Sequence, residues 1–181
     1  MGIAENLQEV RKIIPAHVRL VAVSKTHPPE AIMEAYDTGH RHFGENKAQE
    51  MIAKQPELPA DISWHFIGHL QKNKVKYVAP VATCVETVDS IELAGELSRR
   101  ATGRIRCLIE VNVGGETQKS GVAPSSVEAL AREITSLPGL SLAGLMAIPP
   151  FEENPEKSRP YFRRLRELRD RLLPSLGGER L

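Results

Sequence analysis

Hydrophobic and polar positions along the chain fall into two alternating rhythms. Short apolar runs recur: RLVAVS (19–24), HRHFGE (40–45), SWHFIG (63–68), TCVETV (83–88), RCLIEVNV (106–113) and LSLAGLMAI (140–148). Longer helical stretches separate them: PEAIMEAYDTG, NKAQEMIAKQ, KNKVKYVAP, SIELAGELSRRATG and PSSVEALAREITSLPG. Helix punctuation agrees with this reading. Pro29 suits a first turn, Asp89-Ser90 a cap, Pro124-Ser125-Ser126 an entry, and Gly39 and Gly139 are stops. The tail NPEKSRPYFRRLRELRDRLLP reads as a helix from about Asn154 to Leu173.

Near-continuous apolar strands alternating with helices predict a parallel sheet covered on both faces. The unit recurs about every 25 residues, a spacing that suits a β/α barrel or a doubly wound sheet. No G-x-G-x-x-G follows the first strand, so a dinucleotide-binding fold has no local support. A closed parallel barrel takes eight strands and typically about 250 residues. Six runs in 181 residues stop two units short. An open sheet of this kind leaves unpaired edges on its first and sixth strands.

Composition narrows the picture. One domain over residues 1–181 is expected, and it is long enough to bury a core. Twenty-four basic against 23 acidic residues leave a net charge of +1, which gives no push toward nucleic acid or an anionic membrane. Cys84 and Cys107 sit inside apolar runs and read as buried free thiols of a reducing compartment. The charged, amphipathic N-terminus has no signal-peptide core, and no run reaches the ~18 apolar residues of a membrane span. A soluble cytoplasmic protein is expected.

In parallel α/β architectures ligands sit at the C-terminal ends of the strands. Those positions hold Ser24-Lys25-Thr26-His27, Gly44-Glu45-Asn46, His65 with His69 and Gln71, Glu86-Thr87-Asp89, Asn112 with the NVGGETQKSG loop, and Met146 with Pro149-Pro150. Lys25 is the sharpest of them. A lysine amine becomes nucleophilic when burial lowers its pKa, and it then forms Schiff bases with carbonyls. The same residue also reads as a solvent-facing lysine at a strand edge. His40 and His42, two apart, would share one strand face. No cysteine or carboxylate completes a tetrahedral metal set at a known spacing, so no metal is expected. The NVGGETQKSG loop lacks the P-loop order. It reads as a βα loop, with a flap over the mouth as the alternative. The arginines of the last helix form a solvated or partner-facing surface.

Taken together, VAVSKTHPPEAI, HFGENKAQE, WHFIGHLQKNKVKY, VETVDS, EVNVGGETQKSGV and GLMAIPP resemble the pyridoxal phosphate homeostasis proteins of the YggS/PROSC type, in order and over nearly the whole chain. The resemblance implies an α/β (β/α)8 TIM barrel of PLP fold type III, like the N-terminal domain of alanine racemase without its second domain. Two β/α units are missing here. It implies that Lys25 carries pyridoxal 5'-phosphate as a Schiff base, that Asn46 and His65 lie near the cofactor ring, and that Met146 lines its floor. The implied role is vitamin B6 homeostasis without robust turnover, with PLP-dependent apoenzymes as partners. The alternative is a racemase-like enzyme acting on amino acids. Racemisation needs an acid/base group on each face of the substrate, and one barrel domain lacks the second face. The family continues with serine-, glycine- and threonine-bearing strands that hold the phosphate, and this chain ends at LGGERL before them. The expectation is weak cofactor binding and a tendency to associate.

Overall fold

The computed structural model describes residues 2–116, 118 and 120–176. Six strands, β1 (Ala22–Val23), β2 (His42–Glu45), β3 (Ser63–Phe66), β4 (Cys84–Val88), β5 (Ile105–Glu110) and β6 (Leu140–Met146), form one sheet in sequence order. Every pairing is parallel. The helices are α1 (Ile3–Ile13), α2 (Pro29–Asp37), α3 (Ala48–Lys54), α4 (Val75–Val78), α5 (Ile91–Arg100), α6 (Val127–Thr135) and α7 (Arg159–Ser175).

The unreversed strand order corrects one expectation. A crossover between parallel strands is right-handed, so each helix is carried to the same side when the order never turns back. The helices therefore cover one face, not both. On that outer face Phe43, Phe66, Val85, Cys107 and Ile109 are at most 1% exposed. They join one core with Ile32 of α2, Met51 of α3, Val78 of α4, Leu97 of α5 and Ile134 of α6. Each such burial stabilises the fold by roughly 1.5–3 kcal/mol. The inner face carries His42, Ser63, His65, Cys84, Glu86, Arg106, Leu108, Glu110 and Met146, aligned by register. That row is largely polar, so the strands are apolar on one side only.

Local signals explain the element ends. Pro29 is the first residue of α2, and Gly39 just beyond it has φ +85°, a conformation that costs glycine little. Ser90 caps α5, its side-chain oxygen accepting from the Leu93 N–H at 3.4 Å. β1 pairs over two residues rather than six, Ala22 and Val23 opposite Phe43 and Gly44. The KNKVKYVAP stretch makes a 3-10 turn at Lys72–Lys74 and a single helical turn, α4. The last helix begins at Arg159, not Asn154. Asn154 instead caps a preceding 3-10 turn, its side chain accepting from the Glu156 N–H at 3.0 Å. Thr117 and Lys119 of the NVGGETQKSG loop, and the LGGERL residues after Leu176, lie outside the described residues.

Candidate functional site

Lys25 follows β1 on a tightly held turn. The Ser24 N–H donates to the Gly44 carbonyl at 2.9 Å, which extends the β1–β2 pairing by one bond. Thr26 then takes φ +66°, rare for a β-branched residue. Lys25 itself is exposed. The turn rests on buried charge from the helix side. Ser24 Oγ donates to Glu45 Oε1 at 2.8 Å, and Lys54 Nζ donates to the same oxygen at 2.7 Å and to the Ser24 carbonyl at 2.9 Å. Glu50 Oε2 accepts from Lys54 Nζ at 3.3 Å and from the Thr26 N–H at 2.7 Å. That backbone bond is the main reason the Glu50 carboxyl lies below its ordinary pKa.

Asn46 comes one residue after β2. Its backbone lies against Gly68, where a Cβ would sit 2.2 Å from the Asn46 carbonyl oxygen, so only glycine fits there. Asn46 Oδ1 is buried and has no hydrogen-bond partner among the described residues. A buried acceptor of this kind is costly unless a donor reaches it. Beside it lies a cleft of about 210 Å³, lined by Asn46, Gln49, His69, Gln71 and Lys74 among others.

His65, on β3, sits at the centre of a buried chain. Its Nδ1 is 2.6 Å from Glu86 Oε1, and its Nε2 is 3.2 Å from His42 Nδ1. In the tautomer with the hydrogen on Nδ1, His65 donates to Glu86 and accepts from His42. Burial, then the charge of Arg19, lowers the His42 pKa below its usual value. His65 thus has both nitrogens engaged and presents its ring rather than a free hydrogen-bonding atom. Cys84 lies beside it, its thiol pushed up to about 12, chiefly by burial. The ligand atoms of His65, Cys84 and Glu86 lie within 4.8 Å of one another, a convergence that no sequence spacing announced. Three such donors are one short of a closed tetrahedral set and equal to the protein share of an open one. His40 corrects another expectation. It precedes β2, bonds Arg11 at 3.2 Å and packs edge-on against Phe43, and so leaves the inner face to His42.

Met146 ends β6 in register with Glu110 of β5. Glu110 is 5% exposed, and its Oε2 has no partner among the described residues. Burial first, and then the neighbouring Asp89, raises its pKa. The four residues singled out, Lys25, Asn46, His65 and Met146, thus follow or sit on β1, β2, β3 and β6 of one sheet. Among the described residues no hydrogen bond or ion pair joins Lys25 to the other three. Sequence reasoning missed Glu50 and Lys54. Their i,i+4 spacing was the available signal, but it cannot announce that Lys54 is only 7% exposed.

This open parallel α/β barrel, with a lysine after its first strand, is that of the alanine racemase N-terminal domain, whose family model matches residues 2–177. The chain belongs to that family, on the branch whose curated relatives are named pyridoxal phosphate homeostasis protein. One, from Aquifex aeolicus, is 48% identical and aligns with 85% of this chain and 69% of its own. Another, from Pseudomonas aeruginosa, is 43% identical over 92% of this chain and 78% of its own. Among solved structures, PipY of Synechococcus elongatus with PLP bound is 35% identical, with a TM-score of 0.89 over 99% of this chain and 86% of its own. An alanine racemase from Clostridium difficile, at 13% identity and a TM-score of 0.83 over 99% of this chain and 48% of its own, shares the fold. No helix among the described residues is long and apolar enough to cross a membrane.

Proposed function

We propose that this chain binds pyridoxal 5'-phosphate through Lys25 Nζ and serves the cellular balance of that cofactor. The observation that carries the reading is Lys25, presented on a rigid turn at the C-terminal end of β1, in a chain that overlays on a 35% identical protein whose structure holds PLP. The residues suit the group. Asn46 Oδ1 is a buried acceptor lacking a donor, and the cofactor's phenolic hydroxyl is a donor of the right kind. His65 supplies a ring locked by Glu86 and His42 for packing. Met146 supplies apolar surface on the inner face. When bound, the cofactor contributes an aldehyde that takes up amines covalently. Lys25 provides the amine that retains it, and Asn46, His65 and Met146 orient it. Residues 1–181 act in this reading as one barrel domain in the cytoplasm, consistent with two buried free cysteines. PLP-dependent apoenzymes are the recipients.

The test is titration with pyridoxal phosphate followed in the visible, then borohydride reduction and peptide mass mapping. A new visible band and a reduced adduct confined to Lys25, both lost in Lys25→Ala, are expected. Adducts scattered over surface lysines and unaffected by Lys25→Ala would overturn the assignment.

A further inference from the structure

We propose that Glu45, Lys54 and Glu50, none of which lies on the inner face, form a positioning device that aims Lys25. The inference rests on the reading of Lys25 as the attachment point and names what holds it ready.

The geometry is specific to the two peptide groups that flank the Lys25 Cα. On the N-terminal side, the Ser24 carbonyl accepts from Lys54 Nζ at 2.9 Å and from the His27 N–H at 3.1 Å. On the C-terminal side, the Thr26 N–H donates to Glu50 Oε2 at 2.7 Å. Lys54 Nζ reaches both anchors, because it also bonds Glu50 at 3.3 Å. Glu45 fixes Lys54 in turn and holds the Ser24 hydroxyl. With both flanking peptide planes pinned, the Cα–Cβ bond of Lys25 has one direction, although its side chain is exposed. The left-handed Thr26 is the conformation this clamp maintains, and strain of that kind persists only where the surroundings over-determine it.

Stability alone is a poor reason for the pair. Glu45 is fully buried and Lys54 nearly so, and apolar residues of like volume commonly replace such pairs with no loss of stability. Glu45 Oε2 is moreover left without a partner among the described residues. What the charges add is three donors at one nitrogen, shared between two carboxylates and a backbone carbonyl. No apolar residue can reproduce that. α3 is thereby coupled to the turn after β1.

The experiment uses pyridoxal phosphate as the probe and reads the rate and location of borohydride-trapped adducts at several pH values, beside a thermal melt of each variant. The wild type is measured first, and a trapped adduct on Lys25 is expected. Glu50→Ala, at a partly exposed position, should melt like the wild type yet trap at Lys25 roughly 10- to 100-fold more slowly, a full ångström of misplacement costing about 100-fold. Its label should spread to other lysines. Glu50→Gln keeps an oxygen for the Thr26 N–H and should restore most of the rate. The double variant Glu45→Gln/Lys54→Met removes both buried charges together and should lose at least as much as Glu50→Ala. Wild-type rate, site and pH profile in folded Glu50→Ala would overturn the proposal. Should the double variant fail to fold, Glu50→Ala against Glu50→Gln still decides. If the wild type gives no adduct on Lys25, the cofactor reading itself has failed, and the positioning proposal falls with it before any variant is made.

Discussion

The two faces of this sheet are made by alternate residues of the same strands, yet they follow opposite rules. Along β3, Trp64 and Phe66 point to the helices and are 3% and 1% exposed. Alternating with them, Ser63 and His65 point inward, Ser63 in register with His42 and His65 beside Glu86, Cys84 and His42. The outer face is filled by apolar contact, which is non-directional and tolerates no void. On the inner face Glu110 Oε2 has no hydrogen-bond partner among the described residues, and just past the end of β2 neither has Asn46 Oδ1; on the outer face such an atom occurs at Glu45 Oε2, inside the charged cluster with Lys54. A fold can carry a few such groups because the other face supplies the stability. The division teaches where to expect each kind of residue: the helix side makes the barrel stand, and the inner side is left incomplete in a way that a ligand can complete.

The largest effect should separate the faces within one strand. Phe66→Ala leaves a cavity beneath the helices and should lower the unfolding free energy by about 3–5 kcal/mol. Ser63→Ala, three residues earlier on the inner face and with no side-chain hydrogen bond among the described residues, should change it by less than about 0.5 kcal/mol. Urea denaturation of both variants measures the contrast. Equal losses would mean that the inner face is a core of the same kind.

A smaller effect should cross from packing to ligand capture at Gly68. An alanine methyl there would meet the Asn46 backbone at 2.2–2.8 Å, and backbone cannot swing aside as a flexible side chain can. Gly68→Ala should cost about 1–3 kcal/mol in a thermal or chemical melt. It should also weaken pyridoxal phosphate binding, because Asn46 must move. A variant that melts lower but titrates unchanged would detach Asn46 from the cofactor.

How much of this was visible in the sequence depends on the length scale of the cause. Strand number, parallel pairing, the first-turn Pro29 and the cap at Ser90 follow from local pattern, and the structure keeps them. One-sided covering follows from the order in which strands neighbour one another, which no local window contains. Within HRHFGE and SWHFIG, His42, Ser63 and His65 already hinted at it, since strands buried on both sides have little use for such residues. His40 was misassigned because it lies before the paired segment, where alternation has not begun. Asn46, His65 and Met146 are proposed from motif resemblance rather than physics, and Lys25 from its place at a strand end together with that resemblance. Lys25 is exposed, and nothing about its own burial marks it. The Glu45–Lys54 contact spans nine residues and two elements, so it exists only once α3 folds back over β2.

The smallest effect concerns the price of incompleteness at Glu110. Burial and the nearby Asp89 raise its carboxyl pKa, against opposing contributions from the Ser120 hydrogen bond and His69. The native state therefore binds a proton there more readily than the unfolded chain does. Linkage then requires this group's contribution to stability to fall as pH rises, from about the ordinary carboxylate value of 4.5 up through the raised native value. Glu110→Gln carries no titrating proton, so it should melt much as the wild type does at pH 4 and higher than the wild type at pH 7. A gain at neutral pH that is absent in acid would mark Glu110 as a group kept at a cost to the free protein, as the inner face is argued to be. Parallel melting curves at the two pH values would instead place its carboxylate in as comfortable a setting as any on the outside of the molecule. The contrast between the faces would then lose Glu110, its example on the inner side.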